Sequence, residues 1–309
     1  MSKSPILIAG PTASGKSAFA LQLAKSLGGV IINADSQQVY RDWQILSARP
    51  PVEETAQAPH RMYGHVSLET IYSTGHWLED ATVELEHCHA EGAVPIIVGG
   101  TGLYFKALTL GLARIPRVDP SVRAKGEAEL EHLGLAAFVS ALRERDPKTC
   151  ERIDLQNPRR VLRAWEVLEQ TNQGIADWQD ATPPPVVPLS ACHAIALTPP
   201  REWLYARCDA RFDNMVAAGV LSEVETVMHM DLPSDAPGLR AVGAPELMAH
   251  LKGAMPLEDA IERTKMETRR YAKRQSTWIR NQMQGWTKLD PTAPEAMEML
   301  IRQVTCSEG

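Results

Sequence analysis

The sequence predicts an α/β protein: a parallel sheet flanked by helices, interrupted by an all-helical insertion. Three observations carry that expectation. Short apolar runs of buried-strand type at residues 5–9, 30–34, 94–98 and 193–197 alternate with helical patterns. Near the N-terminus, Gly10-Pro11-Thr12-Ala13-Ser14-Gly15-Lys16-Ser17 fits G-x-x-x-x-G-K-[ST], a phosphate-binding loop set between a strand and a helix. From about residue 117 to 175 the periodicity is helical with no strand-like run. The parent domain is therefore P-loop NTPase-like, expected over residues 1–116 and 190–309, with an insertion over 117–189.

The first unit has the right context on both sides of its loop. Residues 5–9 are apolar, Phe19, Leu23 and Leu27 recur at i, i+4, i+8 on the following helix, and Gly28-Gly29 stops it. Glycines at both ends let the backbone wrap around phosphate oxygens. The loop amides and helix N-terminus give partial positive charge, Lys16 a full one, and Ser17 a hydroxyl for Mg²⁺. Such a loop is built to hold a di- or triphosphate.

Composition bounds the rest. The 309 residues are 44% hydrophobic, enough for an ordinary core. No apolar run approaches the roughly 18 residues of a membrane span, and Met1-Ser2-Lys3-Ser4 opens no signal-peptide core, so a cytoplasmic monomer is expected. Cys88, Cys150, Cys192, Cys208 and Cys306 are scattered without C-x-x-C spacing, which indicates neither a disulfide framework nor a cysteine zinc site. His87-Cys88-His89 reads as a helical face, because adjacent residues on a helix point in different directions.

The second strand ends in Asp35-Ser36-Gln37-Gln38 and then Val39-Tyr40. Ligands of open α/β sheets sit beyond the carboxyl ends of strands, so Asp35 is expected near the phosphate loop. It reads as a helix N-cap, as a Mg²⁺ carboxylate or as a catalytic group. The third strand runs into Gly99-Gly100-Thr101-Gly102-Leu103-Tyr104, with no carboxylate at its end. This loop either serves turn geometry or allows close approach of a ligand, with Thr101 as its hydrogen-bonding group.

The insertion ends at the stiff run Pro183-Pro184-Pro185-Val186-Val187-Pro188. Inside it, Asn157-Pro158-Arg159-Arg160-Val161-Leu162-Arg163 opens a helix with Asn as cap and Pro at the first position. Arg159 and Arg163 share a face and repel, so an anion is expected to compensate them, Glu166 being one candidate. Arg207 and Arg211 lie one turn apart on a later helix. Net charge is −6, yet Arg263, Lys265, Arg269, Arg270, Lys273, Arg274 and Arg280 face only Glu267, interleaved with Tyr271 and Trp278. The stripe suits a phosphate backbone or a solvated helix face.

Together these segments resemble the tRNA dimethylallyltransferases, also called tRNA isopentenyltransferases, of the bacterial type. GPTASGKS, DSQQVY from Asp35, GGTGLY from Gly99, NPRRVLRAWEVL from Asn157, RFDNM from Arg211 and KRQSTWIR from Lys273 follow the family order over nearly the whole chain. The chain departs from the family pattern at Asp42-Trp43, at Ser47-Ala48-Arg49-Pro50 and at Ala244-Pro245.

The resemblance implies transfer of a dimethylallyl group from dimethylallyl diphosphate to N6 of the adenine 3′ to the anticodon in tRNA, with Mg²⁺ as cofactor. It implies Asp35 as general base, Thr101 near the reacting amine, Lys16 at the diphosphate and Arg211 at the diphosphate or tRNA. Residues 10–17 would hold the donor. Asp35, Ser36, Gln37, Gln38, Thr101, Arg123, Arg159, Arg160, Val161, Leu162 and Arg163 match positions that meet tRNA. The residues by themselves leave two rivals: a small-molecule P-loop kinase, which would turn over ATP, and a non-catalytic RNA-binding module, which leaves the phosphate loop idle.

Overall fold

The apolar runs fold as expected into β1 (Ile6–Ala9), β2 (Gly29–Asn33), β4 (Val94–Gly99) and β5 (His193–Leu197), joined by two short strands, β3 (His60–Arg61) and β6 (Thr287–Leu289). The computed structural model describes residues 3–308, with side chains for all of these except Pro294 and residues 303–308. The early helices are α1 (Lys16–Leu27), α2 (Val52–Thr55), α3 (Thr74–Glu91) and α4 (Gly102–Leu110). Next come α5 (Pro120–Arg145), α6 (Pro147–Cys150), α7 (Pro158–Thr171) and α8 (Ile175–Asp180). The last are α9 (Arg201–Ala217), α10 (Val220–Met228), α11 (Ala244–Leu251), α12 (Leu257–Gln282) and α13 (Pro294–Glu308).

The six strands make one parallel sheet in the order β3-β2-β4-β1-β5-β6. Both faces of such a sheet are covered, which is why its strands read as unbroken apolar runs. Leu7, Ile32 and Ile97 pack on one face with Trp77, Phe105 and Leu108. Ile6, Ile8, Ile31 and Ile96 pack on the other with Phe19 and Leu23 of α1. Trp77 stacks on Tyr104 at 4.5 Å between centroids, and its indole N–H donates to the Asn33 carbonyl at 2.8 Å, pinning the end of β2. A third cluster packs Val39, Trp43 and Leu46 against Phe212, Val224 and Leu247, so the loop after β2 rests on α9, α10 and α11.

The chain divides into two units, residues 1–109 with 186–309 and residues 110–185. The insertion thus begins and ends earlier than the bounds of 117–189 that the helical periodicity and the proline run suggested. Ile115 and Val118 of the incoming connector pack in the insertion's own core. Val187, by contrast, joins the core of the sheet, its N–H donating to the Leu108 carbonyl at 3.0 Å. The insertion is helical, its core built from Phe138, Leu142, Val161, Trp165 and Leu168. Asp119 caps α5 with Pro120 following, and Asn157 caps α7 by accepting from Arg159 and Arg160 N–H at 3.1 and 3.3 Å. Gly134, at φ 73°, breaks α5 inside.

Candidate active site

Strand order explains how distant segments meet. β2, β4 and β1 are adjacent and parallel, so their carboxyl ends bring Asp35, the glycines from Gly99 and the phosphate loop to one edge of the sheet. In the loop, Ala13 and Gly15 adopt left-handed φ of 63° and 87°, a conformation that costs a β-carbon roughly 1–2 kcal/mol. That strain is spent curling the backbone ahead of α1. The Lys16 ammonium lies over the loop, 3.4 Å from the Pro11 carbonyl. Burial pushes it down from 10.5 to about 8, with Asp35 opposing that shift and Arg211 adding to it.

Arginines of α9 clamp the loop from outside. Arg207 Nε donates to the Ala13 carbonyl at 2.9 Å while its guanidinium stacks over Trp203, and Arg211 donates to Thr12 Oγ1. Burial pushes the Arg211 guanidinium down, with Asp35 opposing. Ser14 Oγ is buried without a hydrogen-bond partner. These groups open on a cleft of about 370 Å³ lined by residues 12–18, Asp35, Gln38, Ser47, Arg49, Arg207 and Arg211. Beside it a much smaller pocket is lined by Leu46, Phe212, Met215, Val242, Asp35 and Tyr271.

Asp35 does not cap a helix. Residues 36–39 form a bend and turn, and the carboxylate accepts the Gln37 N–H at 3.0 Å, leaving its second oxygen toward the glycine loop. Its backbone is fixed on both sides by the Asn33 side chain, at 2.9 Å to its N–H and 3.0 Å to its carbonyl. Thr101 N–H donates to the Ala34 carbonyl at 3.1 Å, and Thr101 Oγ1 accepts from the Ser36 N–H at 2.9 Å. The two loops therefore brace each other.

The glycines of this second loop serve close approach rather than turn geometry. Gly99 and Gly100 have no positive φ, but a β-carbon on Gly99 would lie 2.0 Å from the Ala34 carbonyl oxygen and one on Gly100 2.1 Å from Gln275 Nε2. Gln275, on α12, is the residue that sequence reasoning missed. Its Oε1 accepts the Thr12 N–H at 2.8 Å and its Nε2 donates to the Gly100 carbonyl at 3.0 Å, tying the phosphate loop to the glycine loop. Its signals were its place in the KRQSTWIR segment and its position as a polar residue on the helix face that also holds Ala272 and Ile279.

The stripe itself divides. Lys265 pairs with Asp213 at 2.7 Å and Arg269 with Asp209 at 2.6 Å, fastening α12 to α9, while Arg270 pairs with Glu267. Arg263, Lys273 and Arg280 stay exposed. Gln37 and Gln38 are also partly committed: Gln37 Oε1 accepts the Val242 N–H at 3.1 Å, and Gln38 Nε2 donates to the Ser47 and Ala48 carbonyls at 3.0 and 2.7 Å. Tyr271 lies beside Ser36 and Gln37, which oppose the upward push of burial on its phenol.

In the insertion, Glu166 is buried and holds Arg123 at 3.1 Å and Arg163 at 3.4 Å, so the compensating anion serves Arg163 but not Arg159. Arg159 and Arg160 are exposed at the start of α7, with no ion pair among the described residues. Val161 corrects the expectation from resemblance. Its side chain is fully buried in the insertion's core, and Leu162 packs partly against the same core, so Val161 has no surface to offer RNA.

Ser17 lines the cleft with Asp35. Among the described residues no group of three or more His, Cys, Asp or Glu side chains is assembled. A hydroxyl and a carboxylate fit an ion that takes most of its oxygens from phosphate and water, as Mg²⁺ does. No helix of the described residues is long and apolar enough to cross a membrane.

Known proteins match this arrangement over its length. The model of the IPP transferase family matches residues 38–282. A tRNA dimethylallyltransferase of Cereibacter sphaeroides (strain ATCC 17029 / ATH 2.4.9) is 53% identical over 285 residues, 92% of this chain and 88% of that one. One from Ruegeria sp. (strain TM1040) is 49% identical over 289 residues, 94% and 96% of the two chains. Among solved structures, the tRNA isopentenylpyrophosphate transferase of Bacillus halodurans superposes with TM-score 0.70 at 32% identity, covering 99% of this chain and 98% of that one. A eukaryotic dimethylallyltransferase acting on tRNA gives TM-score 0.81 at 29% identity, covering 98% of this chain and 77% of that one. The chain belongs to the IPP transferase family.

Proposed function

We propose that the chain transfers a dimethylallyl group from dimethylallyl diphosphate to N6 of the adenine 3′-adjacent to the anticodon in tRNA, and that it does so in the cleft at the phosphate loop. The observation that carries this reading is the convergence of Lys16, Arg211 and Asp35 on one cleft, with a small pocket beside it to whose wall Leu46, Phe212 and Met215 contribute. A kinase reading leaves that pocket idle, and an RNA-binding module leaves the cleft idle.

An adenine amine is a weak nucleophile, since its lone pair is delocalised into the ring. The allylic carbon must therefore carry much cation character, and stabilising the leaving group dominates the barrier. N6 forms the new bond to the allylic carbon as the carbon–oxygen bond breaks, and the electron pair leaves on diphosphate. The loop amides, Lys16 and Arg211 face the charge that develops there. Ser17 would hold Mg²⁺, which when bound supplies further charge to the departing oxygens. Asp35 takes the N6 proton, and Thr101 and Ser36 hold the loop that aims it. Leu46, Phe212 and Met215 give the prenyl tail an apolar wall.

The adenine must leave its stack to reach this cleft. Gln37, Gln38 and Tyr271 surround the place where it would enter. In the insertion Arg123, Arg159, Arg160 and Arg163 meet the anticodon stem through phosphates. The proposal is completed by a monomeric enzyme acting in the cytoplasm, where its tRNA substrate is found. The test is diphosphate release. Release from dimethylallyl diphosphate that requires both Mg²⁺ and unmodified tRNA supports the proposal, whereas steady ATP turnover with a metabolite supports a kinase instead.

Two further outcomes follow. Replacing Arg159 and Arg160 by alanine should weaken tRNA binding and reduce its salt slope by about 0.7–0.9 per lost phosphate contact, with the melting temperature unchanged. Arg163→Ala should weaken tRNA binding and also lower the melting temperature, because it strips a partner from buried Glu166. Binding titrations across a salt series beside thermal melts separate the two. The second outcome is a pH effect: since a bound anion keeps Lys16 charged, donor affinity should be flat below pH about 8 and fall above it, by up to about tenfold per unit. Calorimetric titration with dimethylallyl diphosphate from pH 7 to 10 measures it.

A further inference from the structure

Arg49 is a cation of the donor cleft that the proposed reaction does not use, as Arg207 is; Glu54 lines the same cleft. Arg49 lines it with Lys16, Ser17, Arg207 and Arg211, on a segment remote in sequence from the phosphate loop. Its guanidinium forms no ion pair or side-chain hydrogen bond among the described residues, and its buried Nε has no partner. Buried donors are almost always satisfied, so an orphan guanidinium nitrogen beside a cleft marks a place for an acceptor.

The surroundings hold this side chain in place. Glu223 accepts the N–H groups of Gln44, Ile45 and Leu46 at 2.7, 2.8 and 2.8 Å, anchoring the turn that carries Arg49. Gln38 grips the same turn at Ser47 and Ala48. The Arg49 N–H donates to the Gln44 carbonyl at 3.1 Å, and its own carbonyl accepts from Gln44 Nε2 at 3.2 Å. The Nη1 end of the guanidinium is directed at Gly64, where a β-carbon would fall 1.3 Å from it. Glu223 and Asp42 act on the guanidinium, both favouring its charged form, and Glu54 lines the same cleft; among the described residues none of the three pairs with it.

We infer that Arg49 is a donor-binding residue that engages the terminal phosphate of the diphosphate, opposite the loop that holds the inner one. This rests on the proposed diphosphate donor. A planar fork fixed in advance binds a tetrahedral oxyanion at two points, and it is worth little to a ligand with only one phosphate. Arg49 would therefore set the preference for diphosphate over monophosphate.

The experiment is calorimetric titration of wild type, Arg49→Gln and Arg49→Lys with inorganic diphosphate and with orthophosphate, both in Mg²⁺, beside thermal melts. Wild type should prefer diphosphate; equal affinities would overturn the diphosphate-donor reading itself, independently of Arg49. In Arg49→Gln, diphosphate affinity should fall by about 10- to 100-fold with orthophosphate affinity little changed. A ratio equal to wild type, or equal losses for both anions, overturns the assignment. If the glutamine variant melts more than a few degrees low, the same ratio in Arg49→Lys decides, since lysine keeps stem and charge and removes only the fork. A ratio below wild type supports the inference and a wild-type ratio overturns it.

Discussion

Lys16→Ala should slow dimethylallyl transfer by at least about 10²–10³-fold at saturating tRNA, the range expected for one well-aimed donor at a developing negative charge. Donor affinity should fall with it. Lys16 brings a full charge in a desolvated position, where its interaction with the leaving diphosphate is weakly screened. The fold should not suffer. Burial holds the folded ammonium near 8 against 10.5, so the unfolded chain binds more protons between those values and stability rises with pH across that window. At neutral pH the buried charge therefore works against folding, and the alanine variant should melt at or above wild type. Single-turnover kinetics beside a melt measure both, and near wild-type turnover would remove the phosphate loop from the mechanism.

Asp35→Asn should leave tRNA binding intact yet slow transfer by about 10²–10⁴-fold, because an amide keeps the shape but cannot accept the amine proton. The Asp35 oxygen that accepts the Gln37 N–H is replaced by an amide oxygen that does the same, so the turn should survive. No helix follows Asp35, which leaves two functional readings to separate. A general base gives a slow variant insensitive to Mg²⁺; a metal ligand gives one that recovers as Mg²⁺ rises. Single-turnover transfer across a Mg²⁺ series distinguishes them.

The fold was legible where pattern is local. Four strands with four or more residues each announced themselves as apolar runs, and the cap Asn157 lies where the sequence puts it. β3 and β6 were not legible, since strands of two and three residues are too short for any period. The phosphate loop and Asp35 could be read from motif and strand end. The roles of Gln275 and Glu223 could not, because each acts on backbone groups more than a hundred residues away. The basic stripe misled for a related reason: Asp209 and Asp213, which consume two of its charges, lie on another helix. Val161 sat inside a family motif, yet the same helix periodicity that exposes Arg159 and Arg160 turns it inward.

The most direct measurement is mass spectrometry of nucleosides digested from unmodified tRNA after incubation with dimethylallyl diphosphate and Mg²⁺. The account predicts a mass gain of one dimethylallyl group on adenosine, located 3′ to the anticodon, with diphosphate released in equal amount and the signal lost in Lys16→Ala. Unmodified adenosine in the presence of folded wild-type protein, or a prenyl group elsewhere in the tRNA, would contradict it.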